Sequence, residues 1–121
     1  MNRAEVVSGI NLAELQTRAL RATGLLKAMS NPVRLLVLCQ LAEGEKSVGE
    51  LDRVVDVSQS ALSQHLALLR HRGLVRSRRS GQTILYSLTG PEAPALLAAL
   101  YEVYCSKVSK PGSRRAQLKP A

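Results

Sequence analysis

The most restrictive feature of the sequence is a pair of short amphipathic segments that are separated by a tight turn. Ser47 and Glu50 have the spacing of a capping box, which predicts a short helix running to about Val55. Ser58 predicts the start of a second helix, which carries apolar residues at helical spacing and ends near Gly73. Two short helices joined by a tight turn, the second polar near its start, are typical of a helix-turn-helix.

A β-hairpin signal follows directly. Residues 74–79 and 82–88 are separated by Ser80-Gly81, a dipeptide typical of a tight turn, and the second stretch alternates along its length. This hairpin would be the wing of a winged helix-turn-helix. Three further helices are predicted, from a cap at Asn11 to Met29, from Pro32 to about Gly44, and from a capping box of Thr89 and Glu92 to about Val108.

The predicted fold is therefore mainly α with a small β-hairpin, comprising five helices plus the wing. We expect residues 1–10 to be a flexible segment, 11–108 to form the DNA-binding and dimerisation domain, and 109–121 to be a disordered basic tail. The first and last helices carry more apolar residues than a small core can cover. We therefore expect a homodimer that pairs through these two helices.

The distribution of charge indicates a polyanionic partner. The net charge is +8, and residues 57–90 carry five arginines without a single acidic residue. The sequence contains three tyrosines but no Phe or Trp, whereas proteins that bind single strands use aromatic rings to stack bases. Together these features favour double-stranded operator DNA, whose near-palindromic halves would match a symmetric dimer.

Polar side chains near the start of the fourth helix can bond to base edges, and cations on the wing can bind phosphates. His65 has an alternative role as a polar residue that merely borders the core. The predicted DNA contacts are Ser58, Gln59, Ser60, Ser63, Gln64, His65 and Arg70 on or beside the recognition helix, Arg76, Arg78, Arg79, Gln82 and Thr83 on the wing, and Arg34 near the start of the second helix.

Over about residues 12–108 the sequence closely resembles the ArsR-type winged-helix repressors. The resemblance implies a dimeric repressor that a chemical signal releases from its operator. The segments that carry it are Met29-Ser30-Asn31-Pro32-Val33-Arg34-Leu35, Ser47-Val48-Gly49-Glu50-Leu51, Ser58-Gln59-Ser60-Ala61-Leu62-Ser63-Gln64-His65-Leu66 and Tyr86-Ser87-Leu88. Because the apolar runs are short and the N-terminus does not resemble a secretory signal, we expect the protein in the cytoplasm.

The signal is not expected to be a metal. Metal-sensing members of this family carry Cys-Val-Cys where this sequence has Ser47-Val48-Gly49, and others place Asp and His on the last helix, which here lacks His. Two isolated cysteines and two isolated histidines do not make a tetrahedral zinc site within one subunit. We expect no cofactor, no metal and, because no catalytic constellation is present, no enzymatic activity.

The two cysteines, Cys39 and Cys105, are the remaining candidates for sensing. From composition alone each is best explained as a small core residue. Their surroundings, Leu38-Cys39-Gln40-Leu41 and Leu100 to Cys105, resemble the sulfide- and persulfide-responsive branch of the family, in which the matching pair forms a disulfide or polysulfide bridge. A reactive cysteine should be partly exposed and have a lowered pKa. A general oxidant as inducer, or no inducer, remains an alternative.

Overall fold

The computed structural model of the protein describes residues 9–105, which form five helices and a three-stranded sheet. The predicted flexible segment lies outside this range except for residues 9 and 10, and the predicted tail 109–121 lies wholly outside it. The elements are α1 (Leu12–Met29), α2 (Pro32–Ala42), β1 (Lys46–Ser47), α3 (Val48–Asp52), α4 (Gln59–His71), β2 (Val75–Ser80), β3 (Thr83–Leu88) and α5 (Glu92–Tyr104).

Side-chain caps define the starts of the first four helices. Asn11, Asn31, Ser47 and Ser58 each accept a hydrogen bond from a backbone N–H in the first turn that follows. At Ser47 the capping box is complete, because the Glu50 carboxylate also accepts the Ser47 N–H at 2.8 Å. These four helix starts confirm the sequence-based predictions.

The cap predicted at Thr89 is wrong. α5 begins after Pro91, which makes no side-chain cap, and the Thr89 hydroxyl donates instead to the carbonyl of Gly73. The Thr89 N–H also donates to the Leu74 carbonyl, so this residue ties the end of the wing to the end of α4. The predicted end of α5 near Val108 lies outside the described residues.

The wing is larger than the predicted hairpin. β2 and β3 pair antiparallel from Val75 opposite Leu88 to Ser80 opposite Thr83, as predicted. Gly81 has a φ of +65° in the connecting turn, a conformation that favours glycine. β1 was not predicted; it pairs with the outer edge of β3, so the strand order is β1-β3-β2.

The core lies beneath the helix-turn-helix. Its largest fully buried side chains come from α2, α3 and α4, with exposures of at most 2%: Val37, Leu38, Leu51, Leu62, Leu66 and Leu69. Truncating one such leucine to alanine costs about 2–5 kcal/mol of stability. α4 is therefore held by its apolar side, and its opposite side is left at the surface.

The outer helices are only partly covered within one chain. On α1, Leu12 and Leu20 are 68% and 75% exposed, and on α5 Val103 is 67% exposed, with Tyr101 and Tyr104 also at the surface. Isolated exposed apolar residues are ordinary, but two helices that each present several of them are typical of a protein–protein contact. Among residues 9–105 no helix has the length and apolarity needed to cross a bilayer.

Candidate DNA interface and cysteine pair

The recognition helix α4 exposes a polar strip along the side opposite its buried leucines. Ser60, Ser63 and Gln64 are exposed on this side, near the helix N-terminus. Ser58 is the N-cap, and its hydroxyl accepts a hydrogen bond from the Ala61 N–H at 3.0 Å. Gln59 is exposed in the first helical turn. Amide and hydroxyl groups in such a strip can form the paired hydrogen bonds that distinguish bases in a major groove.

His71 is missing from the predicted contacts although it is exposed on α4. It lies seven residues after Gln64, which is two helical turns, and therefore on the same side of the helix. Gln64 and His71 therefore belong to one continuous exposed face of α4. This seven-residue spacing could have identified His71 from the sequence, but the prediction was based on the small polar residues at the start of the helix.

The arginines of the wing separate into two sets. Strand alternation puts Arg76 and Arg78 on the same side of β2, as expected. Arg78 donates from Nε and Nη2 to the two carboxylate oxygens of Glu45, both at 2.8 Å, and Arg76 donates to the Ser87 hydroxyl at 3.4 Å. The hydrogen bond from Arg78 lowers the pKa of Glu45, and the charge of Arg76 lowers it further.

The second set lies toward the other face and the tip of the hairpin. Arg70, in the last turn of α4, donates to the Ser77 hydroxyl of β2 at 3.3 Å and so links helix and wing. Arg79, Gln82 and Thr83 are exposed around the turn. Cations and polar groups at a protruding hairpin tip are suited to a phosphate backbone.

The side chains of Arg34 and His65 contact each other, and both are only partly exposed to solvent. Arg34 Nη1 lies 3.3 Å from His65 Nδ1, and the remaining guanidinium nitrogens reach backbone carbonyls at the end of α1. Burial and the neighbouring charge of Arg34 both lower the pKa of His65. A phosphate contact by Arg34 and a DNA contact by His65 stay predictions.

Cys39 and Cys105 lie on neighbouring elements. Cys39 is exposed on α2, Cys105 is half-buried at the C-cap of α5, and α2 packs against α5. Partial burial raises the pKa of the Cys39 thiol, and the charge of Cys105 raises it further. The expected exposure is therefore present at Cys39, but the direction of its pKa shift is opposite to the one expected of a reactive cysteine.

Groups that could hold a metal do not cluster in the part of the chain that the structure describes. Within residues 9–105 no three His, Cys, Asp or Glu side chains come together. His65 Nδ1 lies beside Arg34 Nη1, and Cys39 and Cys105 are both free thiols. The chemistry available at the cysteines is thus that of thiols.

A helix-turn-helix with an exposed polar recognition helix and an arginine-rich wing defines a winged-helix DNA-binding domain. Residues 31–77 match the family model described as "Bacterial regulatory protein, arsR family". The chain is 48% identical over 96 residues to the transcriptional activator HlyU of Vibrio cholerae, covering 79% of this chain and 89% of HlyU. It is 41% identical to the biofilm growth-associated repressor of Xylella fastidiosa, covering 87% of this chain and 92% of the relative.

Solved structures agree with the sequence relationship. Reduced HlyU from Vibrio cholerae superposes with a TM-score of 0.75 at 47% identity, covering 78% of this chain and 100% of that one. The transcriptional repressor BigR from Xylella fastidiosa gives a TM-score of 0.73 at 42% identity, covering 80% and 99%. The protein belongs to the ArsR family and is a DNA-binding transcription regulator.

Proposed function

We propose that the protein is a homodimeric repressor whose affinity for its operator is switched by reactive sulfur species through a bridge between Cys39 and Cys105. The observation that carries the sulfur switch is the placement of the two thiols on helices that pack together: Cys39 is exposed on α2, and Cys105 lies at the C-cap of α5. The pKa of Cys39, which Cys105 raises, is consistent with this placement, since water and salt screen charges that lie far apart.

The homodimer is supported by the apolar surface of α1 and α5. Leu12 and Leu20 on α1 and Val103 on α5 are each about two-thirds exposed or more. Pairing with a second copy would bury these side chains and would present two recognition helices to half-sites roughly 34–36 Å apart. The repressor named among the relatives, from Xylella fastidiosa, is consistent with this role.

The sulfur chemistry balances without any further oxidant. A cysteine thiolate attacks the outer, sulfane sulfur of a persulfide RSSH, which gives a cysteine persulfide and RSH. The second thiol then attacks the sulfur attached to the first cysteine, forms the disulfide and releases H₂S. Alternatively both cysteines become persulfides, and their condensation releases one H₂S and leaves a three-sulfur bridge.

The raised pKa of Cys39 bears on how fast this thiol reacts. Burial raises it most, and the neighbouring Cys105 raises it further, so Cys39 has a smaller thiolate population than an ordinary cysteine. The thiolate is the attacking form with a peroxide and with a persulfide alike, so this shift slows both reactions at Cys39. Comparison of the two reagents is therefore what identifies the inducer.

A bridge would connect α2 with the end of α5. α2 supplies the buried Val37 and Leu38 to the core beneath the helix-turn-helix, and α5 carries part of the proposed dimer surface. Moving α5 relative to α2 would therefore change the distance between the two recognition helices of a dimer. DNA affinity would fall because the spacing of the half-sites is fixed.

Intact mass spectrometry after treatment with a persulfide donor, and in parallel with peroxide, tests this proposal. We expect a bridge of two cysteines, with or without an added sulfur, only with the persulfide, together with loss of DNA binding that a thiol reductant restores. Cys39→Ser and Cys105→Ser should each prevent both effects. A simple disulfide with both reagents would indicate a general oxidant switch instead.

Cysteines that stay unmodified with both reagents would contradict sulfur sensing and leave a DNA-binding regulator with another signal or none. The homodimer is tested separately by sedimentation of the reduced protein. A monomer at micromolar concentration would contradict that part of the proposal.

A further inference from the structure

Arg34 occupies the junction of two helices. It is the third residue of α2, and its backbone N–H is held by the Asn31 side chain at 3.0 Å. α1 ends at Met29, and only two residues separate it from the start of α2 at Pro32. The short connection brings the side chain of Arg34 beside the C-terminal turn of α1.

The guanidinium group closes that end of α1. Nε donates to the carbonyl of Ala28 at 2.6 Å, and Nη2 donates to the carbonyl of Lys27 at 3.2 Å. Carbonyls in the last turn of a helix have no helical N–H to accept, and the partial negative charge there favours a cation. Ala28 is buried, so its carbonyl has little access to water as a substitute partner.

The third guanidinium nitrogen reaches the recognition helix. Arg34 Nη1 lies 3.3 Å from Nδ1 of His65, which is half-buried on α4 beside the core. Because arginine only donates hydrogen bonds, Nδ1 has to accept, and the neutral ring then carries its proton on Nε2. The lowered pKa of His65 agrees with a neutral ring at physiological pH.

We propose that Arg34 is a positioning residue for DNA recognition, because its one guanidinium group joins the end of α1 to the middle of α4 through Nδ1 of His65. The inference rests on the proposed function, in which α1 contributes to the dimer and α4 enters the DNA. The angle between these two helices decides how far apart the two recognition helices of a dimer lie. Lysine carries its three donors on one nitrogen and lacks the planar fork, so it does not reproduce contacts that Arg34 makes from three separate nitrogens.

Two neutral amides at position 65 separate positioning from direct contact with DNA. Asparagine can place its oxygen near the position of Nδ1, whereas glutamine places its amide group near the position of Nε2. If His65 acts through Arg34, His65→Asn keeps the DNA affinity of the wild type and His65→Gln loses roughly tenfold, the effect of one charged hydrogen bond. If His65 bonds to DNA through Nε2, the order is reversed.

The ligand for these measurements is a labelled duplex that the wild-type protein selects from a pool of random sequences, and affinity is followed by fluorescence anisotropy. Arg34→Lys should lose roughly tenfold, and combining it with His65→Gln should add little, because both remove one shared contact. Arg53→Lys, an exchange of an exposed arginine next to α3, is the matched control and should keep wild-type affinity. Thermal unfolding of each variant establishes that it is folded.

Nitrogen-15 NMR of the histidine rings tests the Arg34–His65 contact itself, independently of DNA binding, whereas the order of the Asn and Gln affinities tests its role in positioning. We expect His65 Nδ1 to be unprotonated in the wild type, and Arg34→Lys to yield a mixture of both neutral tautomers. Equal affinities for His65→Asn and His65→Gln, or a protonated Nδ1 in the wild type, would overturn the proposal. A wild-type protein that selects no duplex would instead overturn the proposed function, and the NMR result would still decide the Arg34–His65 contact.

Discussion

The helix-turn-helix and the outer helices α1 and α5 differ in how completely a single chain buries their apolar residues. The helix-turn-helix buries most of its large apolar residues, with Leu51, Leu62 and Leu69 fully covered, and its exposed ones, Val54 and Leu68, are only 37% exposed. The outer helices α1 and α5 leave comparable residues in water, including Leu20 at three-quarters exposure. The difference teaches that a single chain covers the core of the DNA-binding half, whereas the exposed apolar residues of the outer helices are what the proposed pairing with a second copy would cover.

The largest effect should come from disrupting the outer half. Leu20→Asp would place a charge at the centre of the proposed α1 contact, where pairing would remove it from water. We expect a folded monomer whose DNA affinity is at least about 100-fold weaker, because the second half-site contact is lost. Sedimentation and anisotropy measure the two consequences.

The matched control for this variant is Val54→Asp, which changes an exposed apolar residue that is not on an outer helix. It should leave the oligomeric state unchanged. If Leu20→Asp remains a dimer with unchanged affinity, the contrast between the two halves is not about dimerisation and α1 has another partner.

A smaller effect is expected from the exposed strip of α4. Gln64→Ala removes a side chain that can form two hydrogen bonds with adenine, which is worth about 1–3 kcal/mol of discrimination. The affinity for the selected duplex should fall while binding to unrelated duplexes is unchanged. Arg79→Gln should instead weaken binding to all duplexes by the same factor. It should also reduce the slope of log affinity against log salt concentration by about 0.9. Equal losses on all duplexes with Gln64→Ala would exclude base recognition by this residue.

Local sequence signals predicted most of the DNA-binding half. The caps at Asn11, Asn31, Ser47 and Ser58 and the turn at Gly81 depend on neighbours within a few residues, and all are present. β1 has only two residues, so it carries no periodicity and takes its conformation from pairing with β3. The end of α3 at Asp52 rather than near Val55 likewise has no local signal.

The contacts that were missed join distant parts of the sequence. The Thr89 hydroxyl prefers the Gly73 carbonyl to the predicted cap, Arg78 pairs with Glu45, and Arg34 meets His65. A list of basic residues identifies candidates for phosphate contacts, but only the fold shows that four of these arginines, Arg34, Arg70, Arg76 and Arg78, already have protein partners. The helices and strands that carry the candidate site could thus be predicted from the sequence, but the hydrogen-bond partners of its arginines could not.

The Glu45–Arg78 pair allows a test of whether an arginine that already has a protein partner can also contact phosphate. Glu45→Gln removes the negative charge that holds Arg78, and an exposed pair of this kind contributes little to stability. If Arg78 then contacts phosphate, DNA affinity should rise several-fold and the salt slope should steepen by about 0.9. Glu43→Gln, which breaks the neighbouring pair with Lys46, is the control. A weaker affinity after Glu45→Gln would mean that the pair positions the wing instead.

The smallest effect should appear where the two halves meet, in the pH dependence of stability. The folded state lowers the pKa of His65 from the ordinary value of 6.5, chiefly by burial and further by the charge of Arg34. The unfolded chain therefore binds more protons as the pH falls below about 6.5, and the free energy of unfolding decreases in that window. Above it His65 is neutral in both states and contributes no slope.

Urea unfolding between about pH 7.5 and about pH 5.5 measures this decrease. His65→Asn should make the decrease smaller, because it removes the titrating group while retaining an acceptor for Arg34. Arg34→Gln should reduce it only in part, since burial is the larger of the two causes and stays in place. An unchanged pH dependence in His65→Asn would show that protonation at this junction does not link the stability of α1 and α4, and each half would then have to be treated as independent.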